Sequence, residues 1–83
     1  MEVFSTGEFD RDIKKIDKNT KLRIRKIIAE LKSLNFIGKP LRHAKNVYSI
    51  RIENKRFVYK VEEDKVVLLF FKSRENVYDY LRQ

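Results

Sequence analysis

Three stretches of alternating or continuous apolar residues follow one another between positions 47 and 72, and they constrain the fold more than any other feature. Tyr48–Ile52 and Arg56–Val61 alternate apolar and polar residues, which is the pattern of strands with one buried face. Val66–Phe71 is apolar on both faces, which suits a covered or central strand. The polar residues between the stretches predict tight turns, since Asn54 tolerates the positive φ of a short hairpin.

The face of these strands that is turned away from the predicted core carries cations. Alternation assigns Arg56, Val58 and Lys60 to this face of the second strand, and Arg51 belongs to the corresponding face of the first. Two interpretations are open from alternation alone. The cations are either an ordinary solvated face or a rigid platform for an anionic ligand.

A short strand over Glu2–Ser5 and a first helix are predicted at the start of the chain. Ser5 and Glu8 have the spacing of a capping box, so the helix is expected to begin at Thr6. Its inner face is an apolar stripe at spacings of four and three residues, formed by Phe9, Ile13 and Ile16.

A second helix is predicted after the polar residues 17–20, with Asn19 or Thr20 as its cap. Gly38 and Pro40 are expected to end it. Its inner face comprises Ile24, Ile27, Ile28, Leu31 and Leu34. Because few polar residues join the two helices, they are expected to form an antiparallel hairpin against one face of the sheet.

The predicted fold is therefore α+β, with the element order β-α-α-β-β-β and a short C-terminal helix. The helical hairpin packs on a small, twisted, mainly antiparallel sheet of four strands. Val77, Tyr80 and Leu81 form one side of the terminal helix. A chain of 83 residues suffices for one core, so residues 1–83 are expected to be a single domain.

A net charge of +8 favours a polyanionic partner such as nucleic acid, an acidic protein or an anionic surface. No apolar run approaches the roughly 20 residues that span a bilayer. The chain has no cysteine and a single histidine, His43, so it offers neither a disulfide framework nor a zinc site. We expect no cofactor, no membrane partner and, without a signal peptide before the first strand, a cytoplasmic location.

Motifs along nearly the whole chain resemble the RelE/ParE toxin superfamily of toxin–antitoxin modules. The likeness begins with Ser5-x-x-x-Phe9, the helical hairpin and Lys39-Pro40-Leu41. Its stronger parts are Val47–Ile52, Lys55–Tyr59 and Lys72–Tyr78, which resemble the family patterns Tyr-Arg/Lys-Ile-Arg/Lys, Tyr-Arg-x-x-Tyr and Gly-His-Arg-x-x-x-Tyr. The resemblance implies a small toxin that a cognate antitoxin neutralises. In the RelE branch the toxin cuts mRNA in the ribosomal A site, and in the ParE branch it poisons DNA gyrase without nuclease activity.

RNA is cut without a metal when its 2′-hydroxyl attacks the adjacent phosphate. The 2′-proton must be removed, the phosphorane stabilised and the 5′-oxygen protonated. Arginine suits the second task because its fork matches phosphate oxygens and stays charged. Arg51, Arg56 and Arg74 are the candidates, and Tyr78 is a candidate for base stacking or acid–base work. The resemblance implies that these four positions matter in ribosome-dependent enzymes of the RelE type.

Further cations are candidates for binding RNA: Lys60, Lys72, and Arg42 and Lys45 of the loop before the sheet. One departure from the family concerns Ser49, which stands where the RelE branch has a basic residue implied to help remove the 2′-proton. Serine cannot act as that base at neutral pH. Ser73 likewise replaces a histidine of many relatives, and His43 is expected to be an exposed loop residue. The general base is therefore unassigned.

Three functions stay open at this point. The first is a metal-independent, ribosome-dependent mRNA endoribonuclease whose partners are the ribosome, mRNA and an antitoxin. The second is a gyrase inhibitor without chemistry of its own, and the third is a basic RNA-binding or inactive relative. The clustered arginines Arg51, Arg56 and Arg74 favour the first function, whereas Ser49 favours the other two.

Overall fold

The computed structural model describes residues 1–42 and 44–73. The predictions made for His43, Arg74, Tyr78 and the C-terminal helix lie outside the described residues.

The described chain forms one five-stranded sheet with two helices. The strands are arranged in the order β1-β5-β4-β3-β2, in which β1 is parallel to β5 and the other neighbours are antiparallel. The elements are β1 (Glu2–Ser5), α1 (Gly7–Asp12), α2 (Lys18–Lys32), β2 (Lys39–Pro40), β3 (Val47–Ile52), β4 (Lys55–Val61) and β5 (Lys65–Ser73). The α+β class and the mainly antiparallel sheet are confirmed. The predicted count of four strands was wrong, because the two-residue β2 joins the edge of β3.

The first helix starts one residue later than the capping box predicts. Thr6, not Ser5, is the cap: its hydroxyl accepts the Phe9 N–H at 3.1 Å and donates to the Leu69 carbonyl at 2.6 Å. Ser5 instead donates its hydroxyl to Asp10 at 2.7 Å. The double role of Thr6 fixes the start of α1 against β5 at the point where β1 ends.

The second helix is capped by Asp17, whose carboxylate accepts the Thr20 N–H at 3.3 Å. The predicted caps Asn19 and Thr20 lie inside the helix. It ends at Lys32, well before Gly38, and the chain reverses through Leu34 with a φ of 67°. That reversal leaves Leu34 59% exposed, so its assignment to the inner face was wrong.

The main core lies between the helices and one face of the sheet. Phe9 of α1 meets Phe57 of β4 edge to face, with ring centroids 5.4 Å apart. The helices also contribute Ile24, Ile27 and Leu31, and the sheet contributes Ile52, Tyr59, Val66, Leu68 and Phe71. The predicted apolar stripe of α2 thus belongs to the core except for Leu34. In the predicted stripe of α1 only Phe9 is fully buried, because Ile13 and Ile16 follow the end of α1 and are only partly buried.

The opposite face of the sheet carries a second, smaller apolar cluster. Val58 is fully buried there with Val47 and Phe70. The assignment of Val58 to the same face as Arg56 and Lys60 is confirmed, but the prediction that this face is polar was wrong at its centre, because Phe70 and Val47 cover Val58 there. The prediction that the last strand is central and apolar on both faces is confirmed, since β5 lies between β1 and β4.

A two-residue turn joins β3 to β4, with Ile52 paired to Lys55. The positive φ of this hairpin, 56°, belongs to Glu53 and not to Asn54. Neither described helix is long and apolar enough to cross a membrane.

Candidate nucleic-acid interface

Three cations form one row across three neighbouring strands at the hairpin end of the sheet. Arg51 of β3 is paired with Arg56 of β4, and Arg56 is paired with Lys72 of β5. Paired residues of antiparallel strands point to the same face and lie about 5 Å apart. We call Arg51, Arg56 and Lys72 the cation row. Like charges placed directly opposite each other destabilise a sheet, so this row costs folding energy.

The two arginines of the cation row have no carboxylate partner among residues 1–42 and 44–73. Arg51 is exposed and donates from Nε to the Glu53 carbonyl at 3.3 Å, which ties it to the hairpin turn. Arg56 is partly buried, and no described acidic side chain reaches it within 4.0 Å. Two guanidinium groups with unused donors therefore face the same space, which is an arrangement suited to phosphate oxygens.

Lys72 differs from the arginines because α1 supplies it with two carboxylates. Its Nζ lies 2.6 Å from Glu8 Oε1 and 2.9 Å from Asp12 Oδ1, and Asp12 also accepts the Phe71 N–H at 3.0 Å. The hydrogen bond to Glu8, followed by the one to Asp12, raises the pKa of Lys72. The same contact, followed by the one from Arg11, lowers the pKa of Glu8. Lys72 thus anchors α1 to the edge of β5, and its charge is largely compensated.

The remaining candidate cations lie towards the other end of the sheet. Lys60 is four residues from Arg56, about 13 Å along the strand, and its Nζ is 3.9 Å from Glu62. Arg42 and Lys45 are exposed in the loop between β2 and β3. The structure therefore brings Arg51, Arg56 and Lys72 together and places Arg42, Lys45 and Lys60 apart from them.

On β3, β4 and β5, a row of uncharged residues separates the two groups of cations. Ser49 lies in it opposite Val58, and Phe70 follows on β5. Ser49 is only 7% exposed. The position where the RelE branch has a basic residue is therefore an enclosed site on this face.

Sequence reasoning missed one cation of this face, Lys39. It lies in β2 directly opposite Ser49. The signal was weak, because a strand of two residues has no periodicity to detect. The sequence hints were the place of Lys39 in the family-like Lys39-Pro40-Leu41 and the neighbouring Gly38, which in the structure has a φ of 103°.

The fold and the cation row together define a small basic α+β domain with a positively charged sheet face. A family model described as "ParE toxin of type II toxin-antitoxin system, parDE" matches residues 3–78. The chain therefore belongs to the ParE toxin family, within the RelE/ParE toxin superfamily, and is a toxin of the type II toxin–antitoxin class.

Several individual proteins similar to this chain are named RelE. Toxin RelE3 of Methanocaldococcus jannaschii is 28% identical over 86 residues, covering 96% of this chain and 98% of its own. The toxin in the RelB–RelE antitoxin–toxin complex from Methanococcus jannaschii superposes with a TM-score of 0.77 at 26% identity, covering 93% and 96% of the two chains. The isolated Escherichia coli RelE toxin shares the fold, with a TM-score of 0.72 at 18% identity, over 98% of this chain and 94% of its own.

Proposed function

We propose that this toxin is a ribosome-dependent mRNA endoribonuclease of the RelE kind, which inhibits translation by cutting mRNA without a metal. The observation that carries the proposal is the pair Arg51 and Arg56, held opposite each other without a described carboxylate partner. Two like charges placed opposite each other do not stabilise a sheet. Binding of an anionic ligand that neutralises both charges is therefore a physical reason for having two arginines at these positions. The likeness to proteins named RelE supports the same assignment.

The chemistry assigned to this pair is stabilisation of the phosphorane. The two arginines project from paired positions of adjacent strands, so their guanidinium groups are placed before the reaction and bind the developing negative charge with little reorganisation. Removing one preorganised donor of this kind typically reduces the rate by about 10²–10³. Lys60, Arg42 and Lys45 are proposed to bind the RNA backbone further along the face, and Arg74 and Tyr78 remain predicted catalytic residues.

The proposed protein partner is a cognate antitoxin, because the relatives of known structure include a RelB–RelE antitoxin–toxin complex. A chain of net charge +8 favours an acidic or amphipathic segment, which would cover the helices or a sheet edge and block the cation row. The proposed site of action is the cytoplasm, where ribosomes and mRNA meet.

The test is induced expression of the toxin in a bacterial host, followed by primer extension on cellular mRNA. Cleavage should appear after induction and should fall about 10²–10³-fold for Arg56→Gln. Lys26→Gln on the exposed face of α2 is the matched control, since it removes the same charge away from the sheet. Intact mRNA together with growth arrest would exclude the nuclease.

A second candidate function, inhibition of DNA gyrase, is favoured by one observation. The enclosed Ser49 supplies no base where the RelE branch has a basic residue. A toxin that acts only by binding needs no base at this position. A gyrase supercoiling assay with the same protein preparation distinguishes the two functions.

A further inference from the structure

We infer that Lys39 is the general base of this toxin, replacing from the adjacent strand β2 the basic side chain that Ser49 lacks. The inference rests on the proposed function and deepens it. Lys39 is paired with Ser49 in antiparallel register, so the two side chains share one face of the sheet. The amine therefore reaches the same face as the cation row by a different strand.

The position of Lys39 relative to the arginines suits a shared substrate. Arg51 is two residues from Ser49 on the same face, which makes Lys39 and Arg51 diagonal neighbours. Diagonal neighbours lie about 7–8 Å apart, within reach of long side chains. One nucleotide can thus contact the guanidinium groups of Arg51 and Arg56 through its phosphate and the amine of Lys39 through its ribose.

The two-residue strand that carries Lys39 is fixed on both sides. Before it, the buried Tyr59 donates its hydroxyl to the Ile37 carbonyl. After it, the Leu41 N–H donates to the Val47 carbonyl at 2.9 Å. These hydrogen bonds hold the backbone on both sides of Lys39. Lys39 itself is exposed, so its amine stays accessible to a ligand.

Gly38 permits this close approach of β2 to β3. A Cβ at position 38 would lie 2.7 Å from the Ser49 carbonyl oxygen and 2.8 Å from Ile50 Cγ1. Its φ of 103° is also a conformation that other residues rarely adopt. The sequence Gly38-Lys39 therefore brings a lysine to the position of β2 that is paired with Ser49.

The chemistry needs a group that exchanges a proton. Arginine does not lose its proton in proteins, whereas the neutral amine of lysine is a base. In the proposed step, Lys39 acts in its neutral form, after its ammonium group has released a proton to the solvent. Its Nζ then takes the 2′-hydroxyl proton while the 2′-oxygen forms a bond to phosphorus. The bond from phosphorus to the 5′-oxygen breaks, and the departing oxygen takes a proton from water. The products are a 2′,3′-cyclic phosphate and a 5′-hydroxyl, and Lys39 returns its proton to the solvent.

The absence of cysteine allows a direct test of proton exchange. In Lys39→Cys, the single thiol of the purified protein is alkylated with 2-bromoethylamine, which rebuilds a lysine-like amine. A second sample is alkylated with (2-bromoethyl)trimethylammonium, which installs a permanent cation without an exchangeable proton. Both samples and the parent are assayed for mRNA cleavage on ribosomes. The parent treated with each reagent serves as the control, because it has no thiol to modify.

Lys39→Cys should cleave about 10²-fold or more slowly than the parent, the usual contribution of a general base. Installing the amine should raise the cleavage rate of Lys39→Cys at least tenfold. Installing the trimethylammonium group should leave that rate unchanged. Equal recovery with both groups would overturn the inference, because a fixed charge would then suffice. Parental activity in Lys39→Cys, with Arg56→Gln still impaired, would overturn it while leaving the proposed nuclease intact. If the parent protein does not cleave mRNA on ribosomes, both the role of Lys39 and the proposed nuclease function would be refuted.

Discussion

The substitution Arg56→Gln should raise the stability of the protein while lowering its activity, because the like charges of the cation row repel each other in the folded state. Arg56 lies between Arg51 and Lys72. The charge of Lys72 is compensated by two carboxylates within 3 Å, so Arg51 is the main like-charged neighbour. Like charges directly opposite cost roughly 0.2–1 kcal/mol. Glutamine keeps Cβ and Cγ of the aliphatic stem and remains polar while removing the charge, so little packing is lost.

We expect Arg56→Gln to raise the free energy of unfolding by about 0.5 kcal/mol, which corresponds to a melting temperature about 2–4 °C higher for a domain of this size. The gain should shrink in 1 M salt, where the screening length falls to about 3 Å. Thermal unfolding followed by circular dichroism measures both effects, with Lys26→Gln as the control for net charge. A variant destabilised by more than about 1 kcal/mol, or a gain independent of salt, would show that Arg56 is a structural residue.

Three further predictions concern the hydroxyl of Tyr59, the carboxylate of Glu8 and the charge of the whole chain. Tyr59→Phe should lower the free energy of unfolding by about 1–2 kcal/mol in urea titrations, because it leaves the Ile37 carbonyl without its hydroxyl donor; an unchanged midpoint would contradict this. The pKa of Glu8 is lowered from 4.5, so its contribution to stability is complete above that value and is lost as the pH falls through the lowered pKa. Glu8→Gln should therefore lose less stability than the parent between pH 5 and pH 3, and parallel losses would refute the contact with Lys72. Binding to single-stranded RNA should weaken with salt with a log–log slope of about −0.7 per phosphate contact, and a flat response would exclude binding through backbone charge.

The overall architecture could be predicted because its signals are local and periodic. The alternation in β3 and β4 and the continuous apolar run of β5 each specify a strand. The first residue of each helix was less predictable, because several residues near each start can act as a cap. Thr6 acts as the cap of α1 because its hydroxyl also meets Leu69, a contact 63 residues away that no local pattern contains.

The candidate site was only partly predictable for the same reason. Arg51 and Arg56 were found because a hairpin pairs them through consecutive strands. The partners of Lys72 come from α1, some 60 residues earlier, and only the folded chain shows that its charge is compensated. Lys39 could not be found from periodicity, since β2 has two residues. The roles of Arg74 and Tyr78 stay predictions.

The most direct test of the account is cleavage by purified toxin of a defined mRNA on programmed ribosomes, with the ends of the products mapped chemically. We predict cuts that require the ribosome, that leave a 2′,3′-cyclic phosphate and a 5′-hydroxyl, and that become about 10²–10³-fold slower in Arg56→Gln but not in Lys26→Gln. Intact mRNA on ribosomes, with gyrase supercoiling inhibited by the same preparation, would contradict the nuclease and establish the binding toxin instead.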